Sequence, residues 1–123
     1  MKVLVVDDDR DARDILRYML EEHGAQVVTA ENAGAALIAL RVERPDLLLS
    51  DIGMPGVDGY ELMRRIRQLG PDEGGRVPAA AISAFARSED RRRALMAGYQ
   101  MHLSKPVEPA ELRAVCASLA DRS

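Results

Sequence analysis

Short apolar runs alternate with longer segments of helical periodicity along the chain. The apolar runs cover residues 3–6, 26–30, 47–49, 79–82 and 101–103, and each has the length of a single strand. Most of the segments between them repeat apolar residues every three or four positions, which is the spacing of an amphipathic helix. The pattern therefore predicts five strand–helix units, with the last helix over residues 109–119.

The predicted helices are bounded by residues that commonly start or stop helices. Asn32 is expected to cap the second helix and Pro45 to end it. Gly24 and Gly98 are expected to end the first and fourth helices. In the first three predicted helices, apolar residues recur at helical spacing, and those of the first helix are expected to share one side. They are Ile15, Leu16, Met19, Leu20, Leu37, Leu40, Val42, Leu62, Met63, Ile66 and Leu69.

The succession of elements predicts an α/β fold with a five-stranded parallel sheet and helices on both faces. Residues 47–49 are apolar without alternation, as expected for a strand that helices cover on both sides. Each right-handed crossover through a helix returns the chain to the same sheet edge. The strand order 2-1-3-4-5 is expected by analogy with flavodoxin-like (βα)5 proteins.

Length and composition limit the class of protein. With 123 residues the chain is expected to form a single domain over 1–123. No apolar run is long enough to cross a bilayer, the N-terminus lacks a signal-peptide pattern, and the single cysteine, Cys116, excludes an internal disulfide. These features predict a soluble cytoplasmic protein without a membrane partner. The net charge of −3 argues against direct nucleic-acid binding.

Polar residues follow four of the five predicted strands. Asp7 and Asp8 follow the first, Asp51 the third and Ser83 the fourth, and Lys105 comes within two residues of the fifth. In open parallel sheets, ligands bind beyond the carboxyl ends of the strands. These five side chains are therefore expected to converge at one edge of the sheet.

The expected convergence places three carboxylates in one pocket. At a separation of about 6 Å and an effective dielectric of about 20, each ionised pair costs roughly 3 kcal/mol. A divalent cation would remove that cost, and an all-oxygen site suits Mg²⁺, with Mn²⁺ as an alternative. A metal-bound carboxylate beside Lys105 is arranged for phosphoryl transfer. Asp51, at the end of the central strand, is the expected nucleophile, and Asp7 and Asp8 are the expected metal ligands.

The transferred phosphoryl group would need donors besides the metal. Ser83 can donate a hydroxyl hydrogen bond, and Lys105 can donate a charge-assisted one. Ala84 is small and would leave the acyl phosphate open to the donor and to water. Pro106 is a candidate for a cis peptide bond that would turn Lys105 back toward the site.

At these positions the chain resembles the receiver domains of two-component response regulators. Several short motifs occur in the expected order at the expected strand ends, and the resemblance covers essentially the whole chain. Residues 98–109, together with the glycine-rich loop before the fourth strand, look most like receivers attached to hybrid histidine kinases. The matching segments are residues 5–8, 46–51, 54–55, 58–59, 83–84 and 105–106.

The resemblance implies that Asp51 accepts a phosphoryl group from a histidine kinase or a histidine phosphotransfer domain. It implies that the backbone carbonyl of Gly53 is a further metal ligand. It also implies that the protein is a regulatory phosphoacceptor and not an enzyme. On phosphorylation, the surface of the fourth helix, fifth strand and fifth helix is expected to change shape and to signal to a downstream protein or linked domain. His102 stands where the family often has tyrosine or phenylalanine as a ring that moves on activation, so an aromatic switch is not assumed here.

Three other readings stay open at this point. A phosphatase-type enzyme with an aspartyl-phosphate intermediate would carry an aspartate at position 53, where this chain has glycine. A nucleotide or flavin binder would have glycines after the first strand, where this chain has Asp8-Asp9-Arg10-Asp11. A receiver acting as an adaptor without phosphorylation would be expected to have lost some of the polar positions, and none is lost.

Two further features bear on partners: the extent of apolar surface and one cluster of arginines. A monomer or weak dimer is expected, because no apolar stripe beyond the core demands dimerisation. Residues 91–93 are three consecutive arginines whose side chains would point in three directions around a helix. They are expected to form a solvated face, with docking of a partner as the alternative.

Overall fold

The structure is a computed structural model that describes residues 1–84 and 87–121, so the last two residues of the predicted domain lie outside the described part. Five strands alternate with five helices, and this confirms the predicted succession. The strands are β1 (Lys2–Val6), β2 (Gln26–Ala30), β3 (Leu47–Asp51), β4 (Ala79–Ser83) and β5 (Met101–Ser104). The helices are α1 (Arg10–Glu21), α2 (Ala33–Glu43), α3 (Gly59–Arg67), α4 (Ser88–Ala97) and α5 (Pro109–Ala120). Within the described ranges, no helix has both the length and the hydropathy that crossing a membrane requires.

All five strands are parallel and lie in the order β2-β1-β3-β4-β5, which confirms the expected order. The register keeps the carboxyl ends of the strands level: Val6 pairs with Ser50, and Asp51 pairs with Ile82. At the next strand pair, Ser83 lies opposite Ser104. Residues that directly follow β1, β3, β4 and β5 are therefore brought to the same edge of the sheet.

The apolar core lies on both faces of the sheet, which explains the uninterrupted apolar runs of the central strands. Alternate side chains of each strand point to opposite faces. On one face, Leu4 and Leu48 pack with buried residues of α2, α3 and α4. On the other face, Val5 and Leu49 pack with buried residues of α1 and α5, including Cys116. Helices therefore cover both faces of the sheet, as predicted.

Two apolar residues of the helical pattern lie outside the core. Ile15 was expected on the same side of α1 as Leu16 and Leu20, and it is more than half exposed. A step of one residue turns the side chain by about 100°, which takes Ile15 off the buried stripe. Val42 in α2 is also exposed, because it lies about 200° around the helix from the buried Leu40. The spacing of apolar residues in the sequence therefore did not determine which of them face the core.

Three helices begin with a side chain that caps the first turn. The Asp9 side chain accepts a hydrogen bond from the backbone of Asp11, and the Asn32 side chain accepts one from Ala35, as expected. Asp58 caps α3 by accepting a hydrogen bond from the backbone of Glu61 at 2.9 Å. Each of these hydrogen bonds satisfies a backbone N–H that has no partner inside its helix, and so helps to define the residue at which the helix begins.

Candidate functional site

The carboxyl edge of the sheet carries an open cleft of ≈ 570 Å³. The structure brings together there all of the side chains that were expected to converge from distant parts of the sequence. Residues predicted to act in the site and found in its wall are Asp7, Asp8, Asp51, Gly53, Ser83, Ala84 and Lys105. The level ends of β1, β3, β4 and β5 are the cause of this arrangement.

Lys105 forms ion pairs with two carboxylates at once. Its Nζ atom is 3.0 Å from Oδ2 of Asp7 and 3.3 Å from Oδ1 of Asp51. The Oδ1 atom of Asp7 accepts a hydrogen bond from the backbone N–H of Asp9 at 2.9 Å. Both oxygens of Asp7 are therefore engaged, and its residue exposure is only 1%. Lys105 and the start of α1 together fix the Asp7 carboxylate in the floor of the cleft.

Asp7, Asp8 and Asp51 form a cluster suited to a divalent cation. Each offers one carboxylate oxygen, and these three oxygens lie within 4.8 Å of one another. With Lys105 the cluster has a net formal charge of −2, which one divalent ion would neutralise. Asp8 is exposed, and no hydrogen bond or ion pair of its side chain is found in the described part of the chain. A hard all-oxygen set of this kind fits Mg²⁺, which retains several waters when it binds carboxylates.

The electrostatic state of the cleft is seen in the pKa values of its groups. Burial raises the pKa of the Asp51 carboxyl, and the nearby charge of Asp7 adds to this rise, while Lys105 acts against it. Burial alone would lower the pKa of Lys105, but its hydrogen bond to Asp7 and the charge of Asp51 outweigh burial and raise it. Lys105 is thus held as a cation, yet its one charge does not fully offset the carboxylates around it.

The backbone around Asp51 is held by hydrogen bonds on both sides. After the strand, the Ile52 N–H donates to the carbonyl of Ile82 at 3.0 Å. The Gly59 N–H donates to the Ile52 carbonyl at 2.9 Å. The hydroxyl of the buried Tyr99 donates to the Gly59 carbonyl at 2.7 Å, and burial strongly raises the pKa of that phenol. The start of α3 is therefore tied directly to the residue that follows Asp51.

The positions of Ser83, Ala84 and Pro106 agree with the geometry expected of them. Ser83 is buried at the end of β4, and Ala84 is exposed at the mouth of the cleft. The Lys105–Pro106 peptide bond is cis, as predicted. The Lys105 backbone N–H donates to the carbonyl of Ser83 at 2.9 Å, which joins the two segments that carry these residues. Their roles toward a phosphoryl group stay predictions.

Seven residues of the cleft wall were not assigned to the site from the sequence: Asp9, Ile52, Met54, Asp58, Tyr60, Asp90 and Arg93. Asp58 was noticed only as part of a motif, and Tyr60 directly follows that motif. Asp90 and Arg93 reach the cleft from α4. The Arg93 guanidinium lies 4.1 Å from the ring centroid of Tyr60, within the range of a cation–π contact. No sequence signal marks this pair, because it depends on how α3 and α4 pack against each other.

His102 lies half-buried on β5 without a partner for its ring. Within residues 1–84 and 87–121, neither ring nitrogen has a hydrogen-bond partner, although both are shielded from solvent. Burial lowers the pKa of this histidine, and the charge of Arg91 adds to this effect while Asp90 opposes it. The neutral ring is therefore favoured in the folded protein. This agrees with the expectation of a strand residue and gives no sign of a bound ligand.

Replacing His102 by phenylalanine is expected to stabilise the protein by about 1 kcal/mol at neutral pH, because it removes buried polar atoms without partners. The stabilisation should grow as the pH falls below 6.5, the ordinary pKa of histidine. Below that value the unfolded parent takes up a proton more readily than the folded parent does, so the parent loses stability. Urea unfolding across this pH range measures the difference, in a His23→Gln background that leaves His102 as the only histidine. A difference in unfolding free energy that does not change with pH would contradict the lowered pKa of His102 in the folded protein.

Comparison with known proteins agrees with this geometry. The family model of the response regulator receiver domain matches residues 3–117. An uncharacterised 14.6 kDa protein of Leptolyngbya boryana is 53% identical over 112 residues, which cover 91% of this chain and 84% of that protein. The sensor histidine kinase RcsC of Salmonella typhi is 39% identical over 122 residues, or 99% of this chain. This chain spans only 12% of the length of that kinase.

Solved structures give the same result. The structure of the chemotaxis protein CheY4 of Vibrio cholerae superposes with a TM-score of 0.88 at 26% identity. The superposition covers 96% of this chain and 97% of that protein. The strand order β2-β1-β3-β4-β5 and the acidic cluster at the carboxyl edge are consistent with this similarity. Fold, site and sequence match thus agree, and the chain belongs to the response regulator receiver domain family.

Proposed function

We propose that this receiver accepts a phosphoryl group on Asp51 from the phosphohistidine of a histidine kinase or of a histidine phosphotransfer domain. A carboxylate oxygen of Asp51 bonds to phosphorus while the bond between phosphorus and the imidazole nitrogen breaks. The released imidazole keeps the electron pair and takes up a proton from solvent. The observation that carries the proposal is the Asp51 carboxylate, which lines an open cleft with its Oδ1 atom 3.3 Å from the Lys105 ammonium.

Asp51 is better placed as nucleophile than the other two carboxylates. Both oxygens of Asp7 are occupied, one by Lys105 and one by the backbone of Asp9. Asp8 is exposed at the start of the loop and lacks a neighbouring cation in the described structure. Asp51 contacts Lys105 through one oxygen, and no hydrogen bond of its other oxygen is found among the described residues. That second oxygen is therefore the natural point of attack on phosphorus.

Lys105 and Ser83 would act after the bond has formed. The Lys105 ammonium already contacts the Asp51 carboxylate, so a charge-assisted hydrogen bond to a phosphoryl oxygen requires only a small movement. Ser83 follows Ile82, which pairs with Asp51, and its hydroxyl can donate to a second oxygen. Ala84 at the mouth leaves room for the donor histidine and later for water. We propose no turnover beyond formation and loss of this acyl phosphate.

The acidic cluster supports a dependence on magnesium. Asp7, Asp8 and Asp51, together with the backbone carbonyl of Gly53, would hold Mg²⁺ or Mn²⁺. A bound ion would neutralise the negative charge of the phosphoryl oxygens, which is the main requirement of this chemistry. Asp7 would be presented to the ion in a fixed orientation, because Lys105 and the Asp9 N–H already hold both of its oxygens.

Replacing Asp51 by asparagine is expected to abolish phosphorylation, because the amide is not a nucleophile under these conditions. The purified protein is incubated with acetyl phosphate and Mg²⁺, and intact mass spectrometry detects the added phosphoryl group. The parent should gain one acid-stable, base-labile group, and chelation of the metal should prevent the gain. The Asp51→Asn variant should gain none.

Asp58→Asn is the matched control for this experiment. Asp58 lines the same cleft, and asparagine can still cap α3, so the variant should keep its fold and its phosphorylation. An adduct that persists in Asp51→Asn, or that is lost equally in Asp58→Asn, would count against Asp51 as acceptor. A parent that never forms an adduct would favour the adaptor alternative.

The proposed output is a change of the surface formed by α4, β5 and α5, read by a downstream protein or a linked domain in the cytoplasm. Lys105 supports this proposal, because it directly follows β5 and contacts Asp51. His102, on β5, occupies the position where the family often has an aromatic switch residue. Its ring nitrogens are buried and have no hydrogen-bond partner among the described residues, so movement of the ring would break no such bond there. The chain spans a small part of RcsC, so no sensing or kinase activity is proposed for it.

A further inference from the structure

A groove of ≈ 340 Å³ lies between α3 and α4, beside the cleft that contains Asp51, and none of its described lining residues belongs to β5 or α5. It shares α4 with the proposed output surface and Arg93 with the cleft, but the proposed function assigns it no ligand. Its side chains come almost entirely from one face of α4, with one arginine from α3. The lining residues are Arg64, Glu89, Arg92, Arg93, Met96 and Ala97.

The groove carries more positive than negative charge. Arg64 lies 3.4 Å from Glu61, but the same carboxylate also pairs with Arg65 at 3.3 Å, so one carboxylate serves two guanidinium groups. In the described part of the chain, the Arg92 side chain has no ion pair or hydrogen bond. Arg93 rests on the ring of Tyr60 and has no carboxylate partner there. The groove is thus locally basic on a chain whose net charge is −3.

An exposed apolar side chain lies beside these arginines. Met96 is 82% exposed, and its neighbour Leu95 is also more than half exposed. A thioether on a flexible side chain adapts to partners of different shapes, and methionine is frequent on surfaces that bind several sequences. Arginine adds planar groups that bind carboxylates with two parallel hydrogen bonds. The groove therefore combines directional binding of carboxylates with an adaptable apolar contact.

We propose that this groove docks an acidic segment of a partner protein, with carboxylates on Arg64 and Arg92 and an apolar side chain on Met96. Charge complementarity favours this occupant over a nucleic acid. Nucleic acids bind through many phosphate contacts along an extended surface. Here the positive charge is confined to one groove that also contains Glu89, on a chain that is acidic as a whole. A short protein segment can match such a small mixed surface.

The experiment is an NMR titration of the complete chain with a panel of short peptides, in which glutamates flank a central leucine, isoleucine or phenylalanine. At least one peptide should bind saturably and shift the backbone amide signals of α4 around Arg92 and Met96. Arg92→Glu should weaken its binding about tenfold, through loss of one attractive ion pair and gain of a repulsive one. Met96→Gln should weaken binding too, through loss of the apolar contact. Peptides with glutamine in place of glutamate should not bind.

Arg113→Glu is the matched control, because Arg113 is an exposed arginine on α5 and the substitution changes the net charge equally. It should leave peptide binding unchanged, and thermal melting checks that all variants are folded. Three results would overturn the proposal: no saturable binding of any peptide, equal weakening by Arg113→Glu, or tighter binding of a single-stranded RNA at the same groove. None of these results bears on phosphorylation of Asp51, which the mass measurement tests separately.

Discussion

Replacing Gly59 by alanine is expected to destabilise the protein by roughly 3 kcal/mol and to displace the backbone of Asp51. A Cβ atom at Gly59 would lie 2.4 Å from the carbonyl oxygen of Asp51 and 2.8 Å from the Cα of Ile52. Both are backbone atoms, so no side-chain rotation can relieve the overlap. The start of α3 would have to move, and with it the hydrogen bonds from Gly59 to Ile52 and from Tyr99 to Gly59. Phosphorylation by acetyl phosphate should therefore fall together with stability.

Gly34→Ala is the matched control for the Gly59 variant. Gly34 lies in α2, and a Cβ there would meet only the side-chain oxygen of Asn32 at 3.5 Å, an ordinary contact. Alanine is the better helix former, by up to about 1 kcal/mol, so this variant should be as stable as the parent or more stable. Urea unfolding and the rate of phosphorylation measure both effects. Equal unfolding midpoints for the two variants would show that the approach of Gly59 to Asp51 is not a constraint.

Replacing Lys105 by methionine is expected to lower the stability of the metal-free protein by about 2 kcal/mol. The change leaves the buried carboxylates of Asp7 and Asp51 without the cation that lies 3.0 and 3.3 Å from them. The full penalty of a broken buried pair is reduced here, because the Lys105 side chain is 30% exposed and water can enter. Magnesium should stabilise the variant more than the parent, since it no longer competes with the ammonium for the same oxygens.

Lys2→Met provides the comparison, because Lys2 is the only other lysine of the chain. Its side chain is 27% exposed, and its Nζ atom lies 3.3 Å from a carboxylate oxygen of Glu43, at the opposite end of β1. The loss of stability should be about 1 kcal/mol or less, with no change in the response to magnesium. Urea unfolding of the parent and of both variants, each with Mg²⁺ and with a chelator, gives the stabilities that are compared. The same magnesium stabilisation in Lys105→Met as in the parent would argue that the metal does not share the lysine's carboxylates.

The convergence of the site was predictable because it depends on topology alone. Asp51 and Ser83 end strands, and Asp7 and Lys105 directly follow strands. Parallel strands with level ends bring such residues together whatever the details of packing. The fourth strand, predicted over residues 79–82 and found over Ala79–Ser83, is rich in alanine and so only weakly marked by propensity. The alternation of strands and helices along the chain supports a strand at this place. Contacts between such distant residues can therefore be predicted from the succession of strands and helices.

The features that the sequence did not reveal depend on angles and distances between helices. Ile15 and Val42 belong to the apolar pattern, yet the rotation of their helices turns them to the surface. The contact of Arg93 with Tyr60 exists only because α3 and α4 pack side by side. The short distance between Gly59 and the backbone of Asp51 likewise depends on positions accurate to about one ångström, which a sequence motif does not specify.

Arg93 lies in the wall of the cleft that contains Asp51 and also in the wall of the groove between α3 and α4. A single guanidinium cannot give its full interaction to anions on both sides. A new negative charge in the cleft would attract the Arg93 guanidinium and so lower the positive charge that the groove offers to an acidic segment, and the reverse holds too. Thermodynamic linkage makes such competition equal in both directions, so a partner that is released on phosphorylation would, by remaining bound, oppose phosphorylation to the same extent.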